Sequence, residues 1–87
     1  MAALRKILNR RREQKRARDD MAVLGCLHQG DVWVLDMWQR LGGGVSAIYM
    51  ALYRLERQGL VVAEFVPQPS GPPRRLYALT GRQEEVA

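Results

Sequence analysis

Apolar and polar positions follow two different periods along this chain, and the change of period divides it. Leu4, Ile7 and Leu8 recur at i, i+3, i+4, the spacing of one helix face. Ala2, Ala3, Leu4, Arg5, Lys6, Gln14 and Lys15 are good helix formers, and no Gly or Pro interrupts residues 2–18. That stretch is predicted to be helical. The apolar stripe stops after Leu8, and residues 9–18 are almost wholly polar, so they do not form a core helix. Met21 to Leu27 is apolar again. Asp19 or Asp20 is placed to cap a separate helix over 21–28. A single helix from about residue 3 to residue 28 accounts for the pattern equally. Gln29-Gly30 ends it in either case, because Gly takes the left-handed cap position cheaply.

Asp31 is positioned to cap a second helix over 32–41, with Val32, Leu35 and Trp38 or Gln39 as its stripe and Trp33 and Met37 on the flank. Gly42-Gly43-Gly44 break the chain. A third helix is predicted over 45–58. Ile48, Ala51, Leu52 and Leu55 gather within roughly a 100° arc of it, and Gly59 closes it. The period then drops to two. Leu60 to Val66 reads as a strand, 67–73 (Pro-Gln-Pro-Ser-Gly-Pro-Pro) as a turn, and Arg74 to Thr80 as a second strand. In that strand Arg75, Tyr77 and Leu79 lie on one face, Leu76 and Ala78 on the other. The result is a mainly α chain with a small β-hairpin. Three helices followed by a hairpin is the order of a winged helix-turn-helix, with the glycines supplying the turn. Three parts are expected: a basic helical arm over 1–18, the winged helix-turn-helix over 19–80, and a short tail over 81–87, frayed or a helical stub.

With 87 residues, one small domain is the limit, at roughly 100–200 residues per domain. Apolar residues make up 47%, which excludes disorder as the default. The net charge is +5, and residues 1–20 carry all of it: eight basic and three acidic side chains. Residues 21–87 are neutral, with six of each sign. A basic arm beside a neutral domain points to a polyanionic partner. A membrane surface fits poorly, because three large apolar residues accompany eight cations that surround the helix.

Cys26 is the single cysteine. No disulfide or cysteine cluster for zinc follows from it, and its apolar run makes it a small buried hydrophobe. No stretch is apolar enough to span a bilayer, and the N-terminus lacks the apolar region of a secretory signal. A cytoplasmic, DNA-associated location is the expectation. Catalysis has no support. His28 is the single histidine and sits at a helix end, where satisfying terminal carbonyls is its ordinary role. No nucleophile–base set, carboxylate pair, phosphate loop or metal cluster stands in the sequence, so no cofactor and no metal is expected.

Two runs carry a family resemblance. Ile48-Tyr49-Met50-Ala51-Leu52-Tyr53-Arg54-Leu55-Glu56-Arg57-Gln58-Gly59-Leu60 is similar to the Leu-Tyr-x-Ala-Leu-x-Arg-Leu-Glu-x-x-Gly-Leu pattern of PadR-type winged-helix regulators. Gly71-Pro72-Pro73-Arg74-Arg75-Leu76-Tyr77-Ala78-Leu79-Thr80 resembles that family's Gly-x-x-Arg-Arg-x-Tyr-x-Leu-Thr wing strand. The stretch that carries them, residues 43–80, is a little under half of the chain. Residues 21–41 match weakly: Trp33-Val34-Leu35 stands where the family has His-Gly-Tyr, and Gly43-Gly44-Val45 replaces a longer Ser-Pro link. The resemblance implies duplex-DNA binding and transcription regulation, with repression the commoner direction. Such proteins usually dimerise through C-terminal helices. About seven residues follow the wing here, so a homodimer is expected to use the N-terminal helix through Leu4, Ile7 and Leu8.

Candidate contacts follow from the wheel and the hairpin. Ser46, Met50, Tyr53 and Arg57 face away from the predicted core of the third helix, with Tyr49 and Arg54 on the flanks, and that face suits a major groove. Gln68 and Ser70 at the wing tip, with Arg74 and Arg75 beside it, suit a flanking minor groove or backbone. Arg74 is the more exposed of that pair on the alternation, while Arg75 shares the Tyr77 face and can be held against the third helix. Arg11, Arg12, Lys15 and Arg16 of the arm suit phosphates. Trp33 and Trp38 raise the prospect of a small apolar ligand, but few polar groups accompany them, and core or interface mass is the plainer role. The competing function is a protein-interaction module, its third helix packed on another protein and its arm docked on an acidic protein or RNA.

Overall fold

A computed structural model describes residues 2–81. Its elements are α1 (Ala2–His28), α2 (Val34–Leu41), α3 (Val45–Arg57), β1 (Val61–Val66) and β2 (Arg74–Leu79). The three helices and the antiparallel hairpin appear in the order expected. Beyond Gly81, the tail expected over 81–87 lies outside the described residues.

The first helix is continuous. It passes without a break through residues 18–20, so neither Asp19 nor Asp20 caps a separate helix. At about 1.5 Å per residue, its 27 residues make a rod of roughly 40 Å, set in a molecule 54 Å long. Residues 2–18 are all exposed, whereas Val23, Cys26 and Leu27 are buried. One half of α1 therefore belongs to the core and the other projects from it. The helix stops at Gly30, where φ is +100°. The Gly30 N–H donates to the Leu27 carbonyl and the Asp31 N–H to that of Cys26, both at 3.0 Å, a Schellman closure that satisfies carbonyls the helix leaves orphaned. Gly59 closes α3 by the same pair of bonds.

The second helix differs from expectation. It begins at Val34 rather than at residue 32, and Trp33 stands at the N-cap with no side-chain bond. Two interactions beyond the helix start explain the shift. The Val32 carbonyl accepts the Tyr77 N–H at 2.9 Å, continuing the hairpin's edge, and this holds residues 32–33 extended (Trp33 φ −106°, ψ 141°). The Asp31 carboxylate is taken by Arg40 instead of the helix end. The buried face is consequently Val34 and Met37, while Leu35 and Trp38 are exposed. The Trp38 indole N–H donates to the Gly43 carbonyl at 2.8 Å and ties down the glycine turn.

The core joins Val23, Cys26 and Leu27 of α1, Val34 and Met37 of α2, Ile48, Ala51, Leu52 and Leu55 of α3, Val61 of β1 and Tyr77 of β2. Each large side chain removed from water contributes about 1.5–3 kcal/mol. The third-helix stripe is the one expected from its spacing. In the wing, Val61 pairs with Leu79, Ala63 with Tyr77 and Phe65 with Arg75. Thr80 anchors the wing's far end: its N–H donates to the Leu60 carbonyl at 3.0 Å and its hydroxyl to that of Gly59 at 2.8 Å.

Candidate nucleic-acid interface

Because Ile48, Ala51, Leu52 and Leu55 are buried, α3 turns the opposite arc outward. Ser46, Tyr49, Met50, Tyr53 and Arg57 are all exposed. The Arg57 guanidinium lies 5.8 Å from the Tyr53 ring centre, a cation–π spacing one helical turn apart. It leaves the donors of Arg57 available beyond the ring.

Arg54 is placed differently. Its guanidinium donates to the Asp20 carboxylate at 2.7 and 3.1 Å, and the pair is only partly exposed. This residue clamps α3 onto α1, so its charge is already answered inside the protein. In the sequence Asp20 stands as one of two candidate caps beside the alternative of one continuous helix, and the pair is missed. The residues stand 34 positions apart, and no local pattern signals such a distance.

The two wing arginines also divide. Arg75 faces Glu56 of α3 at 3.9 Å and lies between the Phe65 and Tyr77 rings, 5.4 and 5.6 Å from their centres. It is held against α3, as its alternation allowed. Arg74 is exposed yet stacked on Trp33, 4.1 Å from the ring centre, a contact the hairpin pattern could not show. Trp33 thereby belongs to the wing's base. It lines a hollow with Tyr49, Pro73 and Arg74, and Trp38 does not contribute to that hollow. At the tip, the Gln68 amide donates back to the Val66 and Pro67 carbonyls at 3.1 and 3.3 Å, while Ser70 is exposed.

On α1, Arg11, Arg12, Lys15 and Arg16 are exposed. Lys15 pairs with Asp19 one turn on, at 3.4 Å. Leu4, Ile7 and Leu8 are exposed at the far end of the same helix. His28 is exposed at its C-terminal end. No helix among the described residues is long and apolar enough to cross a membrane.

The helix-turn-helix made by α2, the glycine turn and α3, with a hairpin wing docked beside it, defines a winged helix-turn-helix protein of the kind that binds DNA in transcription regulation. The family model for the PadR-like transcriptional regulators matches residues 23–85, and the chain belongs to that family. A solved structure, the X-ray structure of a PadR-like transcription factor from Bacteroides fragilis, superposes with a TM-score of 0.81 at 26% identity, over 90% of this chain and 81% of that one. No curated protein sequence matches the chain.

Proposed function

We propose that this chain is a sequence-specific duplex-DNA-binding regulator that acts by repression, placing α3 in the major groove and the wing on the flanking groove or backbone. The observation that carries the reading is the outward arc of α3. Ser46, Tyr49, Met50, Tyr53 and Arg57 form a continuous exposed face on a helix whose other side is locked in the core. A major groove admits such a helix, and Arg and Ser side chains donate to base edges and phosphates there. Arg74, exposed although stacked on Trp33, and Ser70 are the groups the wing offers to DNA. Arg54 and Arg75, each paired within the protein, hold the reading surface in place. The arm's cations add phosphate contacts and steepen the salt dependence.

One module of this size offers few base contacts, and a homodimer reading two half-sites answers that. Leu4, Ile7 and Leu8 are exposed on α1 and form the surface proposed to pair two copies.

The test is binding of the full chain to a random-sequence duplex and to a duplex selected from a random pool, each across a salt series. Tighter binding to the selected duplex, with Arg57→Gln losing about 1–3 kcal/mol on it and little on random DNA, supports the reading. The face of α3 is rich in Tyr and Met, which equally suits a protein surface. Absence of duplex binding at low salt therefore moves the assignment to a protein-interaction module whose arm docks on an acidic protein or RNA.

A further inference from the structure

We propose that the cleft between α1 and α3 seats a backbone phosphate of the bound duplex, so that the basic half of α1 fixes the position of the protein along the DNA. This inference rests on the DNA reading above and goes beyond it, from a diffuse basic arm to one site. The cleft measures about 310 Å³ and is lined by Arg12, Lys15 and Arg16 from α1 and by Ser46, Met50 and Arg54 from α3. Asp19 is the one carboxylate on its wall, and Lys15 holds it at 3.4 Å. Arg12, Lys15 and Arg16 together outweigh that engaged carboxylate, so the site favours an anion. Guanidinium groups match a phosphate's oxygens with paired donors. Ser46 adds a hydroxyl donor from the opposite wall.

Two features make the cleft a seat rather than a patch of charge. Arg54 reaches the cleft wall already clamped to Asp20, with donor distances of 2.7 and 3.1 Å. That clamp sets α1 against α3 through groups that an arriving ligand does not need to displace. Ser46 and Met50 also belong to the exposed face of α3. An anion in the cleft is therefore adjacent to whatever α3 faces, which is where the strand bordering an occupied groove carries its phosphates. Arg12, Lys15 and Arg16 lie N-terminal to the residues the family model matches, 23–85.

The experiment scans single methylphosphonate substitutions, which remove one phosphate charge each, across the selected duplex. Binding of the full chain is read by fluorescence anisotropy in the wild type and in an Arg12→Gln/Arg16→Gln variant, both checked for an unchanged melting temperature. One or two positions beside the α3 footprint are expected to weaken the wild type by several-fold and leave the variant indifferent. The variant's salt slope is expected to be shallower by about 0.9 for each phosphate it no longer neutralises. Losses that simply add at every position, or an unchanged slope, overturn the seat. If Arg57→Gln still weakens binding in that case, the DNA reading survives without the seat. A wild type that binds no duplex removes both. A melting-temperature rise in inorganic phosphate at matched ionic strength, absent in the variant and with no methylphosphonate effect, assigns the cleft to the free anion and overturns the DNA source.

Discussion

Asp20 and Arg54 meet across 34 residues of sequence, with the guanidinium nitrogens 2.7, 3.1 and 3.3 Å from the carboxylate oxygens. Their side chains are only 18% and 24% exposed. The pair joins α1, at the point two-thirds along it where the helix leaves the core, to α3. It therefore sets the angle at which the projecting half of α1 stands over the proposed reading helix.

A double-mutant cycle measures that coupling. Asp20→Asn is expected to lower stability by about 1 kcal/mol, above the median for exposed pairs because solvent screens this one less. Asp20→Asn with Arg54→Gln is expected to cost less than the sum of the single changes, read from urea midpoints at constant m. Strict additivity would show that the two groups do not support each other.

Asp31 and Arg40 form a second pair, nine residues apart, at 2.8 and 3.1 Å. The hydrogen bonds from Arg40 hold the Asp31 carboxyl below the usual aspartate range. A depressed carboxyl contributes stability above its unfolded value and loses it as pH falls through the folded value. Carbon-detected NMR is expected to show Asp31 titrating below ordinary aspartates in the wild type and returning to the ordinary range in Arg40→Gln. The same variant is expected to lose less stability than the wild type on acidification through that window. An unchanged Asp31 midpoint in Arg40→Gln would assign the depression to something else.

Cys26 is buried, and burial first, then the negative charge of Asp31, push its thiol upward. Thiolate, not thiol, is the nucleophile, so both effects slow its chemistry. Maleimide labelling is expected to be slow in the native chain and to proceed at the opening rate of the fold, becoming immediate in denaturant. Rapid, complete labelling under native conditions would contradict the packing of α1 against α2.

The parts legible in the sequence are those governed by neighbours three, four or two positions away. Ile48, Ala51, Leu52 and Leu55 declare the α3 core face, and Tyr77 with Leu79 declares the inner face of β2. The start of α2 is not legible because its determinants are remote. Tyr77 recruits the Val32 carbonyl, and Arg40 recruits the carboxylate expected to cap. The candidate site divides in the same way. The exposed arc of α3 follows from its core stripe. The engagement of Arg54 by Asp20, of Arg75 by Glu56 and of Arg74 by Trp33 follows only from how the elements pack.

The projecting half of α1 has an unusual electrostatic balance. Its first turn holds no acidic residue, although the helix N-terminus favours negative charge. Lys6 and Arg10, Arg11 and Lys15, and Arg12 and Arg16 are like charges four residues apart, each pair opposing the helix by about 0.2–0.5 kcal/mol. Residues 2–18 are exposed and gain no burial to offset this. Added salt screens the repulsion, so far-UV ellipticity of the full chain is expected to deepen with ionic strength. Arg12→Glu converts one repulsive pair into an attractive one with Arg16. It is expected to raise helicity at low salt and flatten its salt dependence, while weakening duplex binding several-fold because a cleft cation has become an anion. Helicity and affinity moving in opposite directions in one variant separates the folding of α1 from its contact with phosphate. If affinity rises together with helicity, the arm acts by being helical and its charges are incidental.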